Sequence, residues 1–412
     1  MSVVVPPVPI GPVGQPDIQY LPDPIKYAAR TERRQKEKLQ TTLPEGFPRE
    51  LQSDLAWDGK TVGEVYDWNY HLTQDDLEEV DQALQHFKGM STSLSTDVET
   101  DKTGLNLPLG LVNQEAFPLP KLHDKLRAIS KEIHQGRGFK VIRGVPVDQY
   151  TREENFIIYA GLTSHIAPVR GRQDNNWQGQ PADVVLAHIT DLSRKVDTKT
   201  IKAPAYTTEK QVFHTDAGDI ITLFALEEAA EGGQSYLSSS WHVYNELART
   251  RPDLIHTLAE PWIAEQGAEV ISRPLLYHQP PTSDAPERLI IQYARRGFTG
   301  YWGKPRAATL PPITEAQAEA LDALHYLAEK SAVALDFHKG DIQVVNNLSI
   351  FHARAGFTDS DEKRRHLVRL WLRDPELAWE TPEGLKSRWE YVYAAVDAEK
   401  AVFPLEPFVR SQ

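Results

Sequence analysis

Phe213-His214-Thr215-Asp216 decides how this chain is read. On an extended strand, side chains two residues apart project from one face, so His214 and Asp216 offer an imidazole nitrogen and a carboxylate oxygen from a single element. The chain has fourteen histidines, and only His214 has a carboxylate at the second position downstream. An open iron(II) site of the two-histidine, one-carboxylate type needs one more histidine from a distant segment. His352, in Phe351-His352-Ala353-Arg354, is well placed to supply it, and Arg364-Arg365 follows within one hairpin's length. These residues predict an oxygen-activating iron site with an anionic cosubstrate.

Composition sets the outer bounds. A chain of 412 residues with 40% apolar content can bury a large core, as one large domain or two. A formal charge of −13 argues against a nucleic-acid backbone as the main partner, while a pocket of local arginines can still take a small anion. With no cysteine, disulfides, thiolate metal sites and cysteine nucleophiles are excluded. No apolar run approaches the roughly 18 residues that span a bilayer. The prolines between Pro6 and Pro24 break the helix an export signal would need, so the expected location is cytoplasmic. Whether the protein acts alone or as a homo-oligomer stays open.

Residues 1–48 are expected to form a proline-rich arm, polyproline-like over 1–25, followed by a charged helix whose Arg30, Arg33, Arg34, Lys36 and Lys38 make a solvated basic face. Residues 49–412 are expected to form one catalytic domain. Its front carries helices over Thr73–Phe87, closed by Gly89, then one bearing Leu122, Leu126, Ile129 and Ile133, and one from Thr151 to about Ser164. From about residue 180 the pattern changes. Short apolar runs (Val184–Ala187, Ile220–Ala225, Leu289–Tyr293, Ile342–Val345, Leu367–Leu372) alternate with turn residues, which predicts an antiparallel sandwich or barrel. One helix is expected after Ser238–Ser240 and another from Thr314, where Gln317 completes a capping box. Gly232-Gly233 lacks the lysine and Ser/Thr of a phosphate-binding loop.

Each candidate has a bland counterpart. A single HxD is often only a hydrogen-bonded pair, and a histidine in an apolar context is more often core than ligand. Arg365 and Arg369, four apart on an expected strand, share a face. Two inward arginines are expensive without anionic partners. His325 reads as structural. His165 and His188 could reach a pocket but are at least as well placed for core or surface, and His366 is out of phase with Arg365. The segment 170–210 reads equally as a lid or a surface loop.

The combined order of motifs resembles the taurine dioxygenase-like (TauD/TfdA) family of Fe(II)/2-oxoglutarate-dependent oxygenases. The resemblance runs from Gly138-Phe139-Lys140-Val141-Ile142-Arg143-Gly144 through the HxD, Gly232-Gly233-Gln234-Ser235, Asn346-Asn347 and His352 to Arg364-Arg365-His366-Leu367-Val368-Arg369. It implies a double-stranded β-helix, or jelly roll, flanked by helices, in an α+β, mainly β chain. It implies iron held by His214, Asp216 and His352, with 2-oxoglutarate and O2 as cosubstrates. Arg365 then grips the far carboxylate of 2-oxoglutarate, Ser235 stands where many members have a threonine on the cosubstrate, and Arg369 matches a position that in some members holds the substrate's acidic group. The implied activity is oxidation of a small carboxylate, amino acid or specialised metabolite, with hydroxylation as the default and desaturation or ring closure as alternatives. The rival is a jelly roll that binds a metal or sugar without turnover.

Overall fold

All five residues of the strand Ile342–Asn346 are buried, which requires a neighbour on each edge and a layer on each face. Phe139–Arg143 and Ile220–Glu227 flank it, both antiparallel. His366–Arg373 pairs with the far edge of Ile220–Glu227. Asn69–His71 extends the sheet at one end, and Val169–Arg170 and Ala187–Thr190 extend it at the other. The second sheet has four strands in the order Val333–Leu335, Ser235–Ser239, Ile350–Arg354, Gln211–His214. In this computed structural model the described residues are 11–93, 108–201, 203–266, 269–301, 305–394 and 396–410.

The chain passes repeatedly between the sheets. It leaves the main sheet at Asn346 and re-enters the second at Ile350; Ile220–Glu227 and Ser235–Ser239 make the same exchange. That alternation is the jelly roll. Helices Leu122–Gln135 and Arg152–Ile166 cover one face of the main sheet, where Leu126, Ile133 and Phe156 join Phe224, Val344 and Leu370 in one apolar cluster. Thr151 and Glu154 cap the second of these helices reciprocally, and Thr314 and Gln317 cap Glu315–Lys330 in the same way, as expected. Glu315–Lys330 and Ser240–Thr250 pack on the outside of the second sheet through Leu321, Leu324, Trp241 and Tyr244 against Phe213 and Phe351.

Three expectations change. The helix expected over Thr73–Phe87 spans Gln74–Ser93 and runs through Gly89. Gly89 adopts no left-handed conformation, so nothing there terminates the helix. The run Val184–Ala187 is divided between two strands, Gln180–Val184 and Ala187–Thr190. The basic face of the early helix, Pro24–Arg34, is solvated only in part: Arg33 and, just past the helix end, Lys36 and Lys38 are exposed as expected, but Arg30 and Arg34 are docked. Arg30 is 2% exposed and bonds Asp322 at 2.6 Å and Glu315 at 2.8 Å, and Arg34 reaches Glu319 at 2.7 Å. Charge alone cannot tell a solvated helix face from one docked on an acidic helix.

The arm's residues 1–10 lie outside the described residues. From Gly11 onward it is laid along the body: Gln15 donates to the Phe298 carbonyl at 3.0 Å, and Arg295 donates to the Gln19 carbonyl at 2.8 Å. Among the described residues, no helix is long and apolar enough to cross a membrane.

Candidate active site

His214 is the last residue of Gln211–His214, and Asp216 lies two residues beyond the strand's end rather than on it. The strand stops because Thr215 turns its amide to the Tyr293 carbonyl at 2.9 Å. Asn347 then fixes Asp216. Its Oδ1 accepts the Asp216 amide at 2.8 Å, and its Nδ2 donates to the Asp216 carbonyl at 2.7 Å. His352 sits opposite His214 on the neighbouring antiparallel strand, with ring centroids 4.1 Å apart. Hence His214, Asp216 and His352 each bring one ligand atom within 4.8 Å of the others.

The electrostatics suit a cation. Burial holds both imidazoles below their ordinary range, His352 at about 3, so both are neutral and carry a lone pair. His214 directs Nδ1 at the Val212 carbonyl, 2.9 Å away, and Nε2, which faces the Gln211 amide at 2.9 Å, is the nitrogen a metal would take in that amide's place. Burial acts to raise the Asp216 carboxyl, but the Arg369 guanidinium, bonded to its Oδ2, holds it well below the usual carboxylate range. Two neutral imidazoles and one ionised carboxylate, on the edge of a cavity that His214 and Asp216 line, fit an open Fe(II) site.

The two arginines of the expected pair occupy different surroundings. Arg365 precedes the strand His366–Arg373, and Arg369 lies within it. Arg365 is enclosed with Arg354, both guanidiniums lying over the Phe357 ring at 5.4 and 4.8 Å. Buried NH1 of Arg365, and Nε and NH1 of Arg354, have no hydrogen-bond partner among the described residues. Burial, and for Arg365 the neighbouring Arg354, lowers these groups to about 9 and about 10. Two buried guanidiniums with idle donors fit a carboxylate such as the far end of 2-oxoglutarate. A Cβ at Gly233 would lie 2.9 Å from the Arg365 Nε, and Gly233 has φ +75°, so glycine is required there. Ser235 pairs with Arg354 in the sheet, and its hydroxyl donates to Gln343 Oε1 at 2.7 Å.

Arg369 instead lines a cavity of about 620 Å³ that opens beside His214 and Asp216, a volume suited to a small molecule. Its Nε donates to Gln173 at 2.8 Å, and its buried NH2 has no partner among the described residues. The sequence reading did not single out Asn347, Gln173 or Arg354 as site residues. Arg354 carried a signal, two residues after His352 on one strand face. Gln173 comes from a distant loop with no local mark. His165 and His188 stay out of the cavity. His165 bonds His123 at 2.9 Å and His188 bonds His366 at 2.7 Å, both within the core. The 170–210 segment is anchored: Asp174–Trp177 and Gln180–Val184 form a small sheet with Ala401–Val402, and Arg172 donates to the Tyr391 carbonyl.

With this geometry established, comparison with known proteins gives a single direction. Residues 105–371 match the family described as taurine catabolism dioxygenase TauD, TfdA family. The chain belongs to that family. It is 38% identical over 368 residues to the taurine hydroxylase-like protein SAT17 of Stachybotrys chartarum, covering 87% of this chain and 89% of that one. It is 25% identical over 349 residues to FR-33289 synthase of Streptomyces rubellomurinus, covering 82% of this chain and 95% of that one. The fold is also that of asparagine oxygenase solved with Fe(II), hydroxyasparagine and succinate, with a TM-score of 0.52 and 15% identity over 74% of this chain and 94% of the other. The non-heme iron oxygenase OrfP, solved with Fe and alpha-ketoglutaric acid, gives a TM-score of 0.50 and 16% identity over 81% of this chain and all of the other. This TauD/TfdA member is therefore an Fe(II)/2-oxoglutarate-dependent oxygenase, and the non-catalytic jelly-roll alternative is set aside.

Proposed function

We propose that this oxygenase oxidises an unactivated C–H bond of a small carboxylate, amino acid or related specialised metabolite, with hydroxylation as the outcome. The observation that carries this is the position of Arg369, which borders the cavity and touches Asp216 at once. An acidic substrate group held near Arg369 is thereby placed close to the metal ligands. When bound, iron couples oxidative decarboxylation of 2-oxoglutarate to oxidation of the substrate.

The protein's part is binding, orientation and exclusion of water. His214, Asp216 and His352 would hold the iron. Arg365, supported by Arg354, would orient the cosubstrate through charge-assisted bonds. Ser235 lies beside them, and a rotation of the Gln343 amide would free its proton for the same carboxylate. Trp371 and Tyr293 supply aromatic surface in the cavity wall.

The test is a panel of carboxylates, amino acids, sulfonates and phosphonates, scored for stimulated succinate release with iron and oxygen and for a product heavier by one oxygen atom. A panel on which succinate release never rises above its substrate-free level would overturn the substrate class.

A further inference from the structure

Among the described residues, seven arginines line the cavity. Arg295 pairs with Asp322 at 2.6 Å, Arg306 donates to the carbonyls of Gly297, Ile263 and Pro311, and Arg369 bonds Asp216. Arg273, Arg388 and Arg410 share the wall with two described carboxylates, Asp216 and Glu265. Among the described residues, Arg273, Arg388 and Arg410 have no carboxylate within ion-pair distance. A cavity this cationic in a chain of net charge −13 is a local arrangement and not a reflection of composition.

Arg369 and Arg410 form the centre of it. Their guanidiniums lie over the same Trp371 ring, 5.0 and 5.8 Å from its centroid. Gln173 joins them, accepting from Arg369 Nε through its side chain at 2.8 Å and from Arg410 NH1 through its carbonyl at 3.2 Å. Arg410 is 8% exposed and is steadied by Tyr206, whose hydroxyl accepts from its Nε at 2.9 Å. Arg388 sits on the same wall with its guanidinium over Tyr391 at 5.2 Å. Burial, and to a smaller degree the nearby Arg410, lower Arg388 to about 10, whereas at Arg410 burial is outweighed by Tyr206, Asp216 and Asp174, which raise it. Arg388 and Arg410 both lie beyond residue 371, where the family match ends.

We propose that Arg410 and Arg388 join Arg369 in a site for a doubly charged oxyanion of the phosphate type, so that the substrate carries a dianionic head group. This rests on the oxygenase reading of the same cavity and narrows its substrate class. Asp216 and the bound cosubstrate offset the iron, which leaves the arginine surplus to be met by the substrate. One singly charged group would leave buried guanidinium donors idle.

Methylphosphonate and methanesulfonate are close in shape but differ in charge at about pH 8. Full-length protein loaded with iron and 2-oxoglutarate, with oxygen excluded, is titrated with each by calorimetry. Methylphosphonate is expected to bind at least tenfold more tightly. Arg410→Gln and the less buried Arg388→Gln should each remove most of that preference, and Arg410→Lys should restore part of it. Equal binding of the two probes, or an unchanged preference in a folded Arg388→Gln protein, would overturn the proposal. A parallel 2-oxoglutarate titration of iron-loaded protein separates the two readings: absent cosubstrate binding sinks the oxygenase reading, while absent charge discrimination sinks only this one.

Discussion

Asn347 grips Asp216 by its backbone on both sides, accepting from its amide at 2.8 Å and donating to its carbonyl at 2.7 Å. Because Asp216 lies beyond the strand's end, no ladder holds it, and this side chain substitutes for one. Asn347→Ala should lower iron affinity by roughly 10- to 100-fold, the usual consequence of losing an orienting partner. Fe(II) titration is the measurement. A variant with unchanged affinity would show that Gln292, which donates to the same carbonyl at 2.5 Å, is sufficient alone.

Asp216 is the carboxylate proposed to hold the iron. Asp216→Ala should lose tight iron binding and succinate formation together, while thermal unfolding still shows a folded protein. Wild-type iron affinity and full activity in that variant would sink the assignment of the three ligands.

Arg365 and Arg369 should separate kinetically. Lysine at either position keeps the charge and loses the planar fork. Arg365→Lys is expected to raise the apparent 2-oxoglutarate requirement about tenfold, the loss of one good charge-assisted bond. Arg369→Lys should chiefly weaken the prime substrate and uncouple succinate release from its oxidation. Titrating each ligand against each variant decides this, and an Arg369→Lys effect confined to 2-oxoglutarate would remove its substrate role.

Arg30 ties the early helix to Asp322 and Glu315. Removing one member of a buried ion pair leaves the other uncompensated, so Arg30→Ala should cost about 3 kcal/mol. Urea unfolding measures it. A loss within error of zero would mean that Arg295 alone satisfies Asp322.

Asp76 should contribute to acid stability. Burial acts to raise its carboxyl, but Lys125 at 2.8 Å, Thr73 and Tyr70 outweigh that and bring it to about 2, below its ordinary 3.8. A folded value below the unfolded one gives stability that is present above about pH 4 and is lost as pH falls through about 2. The melting-temperature gap between wild type and Asp76→Asn should therefore narrow across that window. A constant gap would show that the carboxylate charge is not what stabilises the helix start.

Much of the core was legible because it is periodic. The strands Ile342–Asn346 and His366–Arg373 announce themselves as apolar runs, and the helices at Thr151 and Thr314 by their capping boxes. The convergence of His214, Asp216 and His352 was legible because the signal is local: an HxD and one later strand histidine. Asn347, Gln173 and Arg410 were not, since each acts through a contact made only when distant segments meet. Arg30 and Arg34 were misjudged for the same reason. Their acidic partners lie far along the chain, 285 residues away for Arg34 and Glu319.

Both tails contribute to the cavity wall, Tyr20 from one and Arg410 from the other, on either side of the segment 105–371 shared with the family. The wall is thus closed by chain on both sides of that segment as well as within it, so a substitution at Tyr20 or Arg410 reaches the cavity without replacing a strand residue of either sheet.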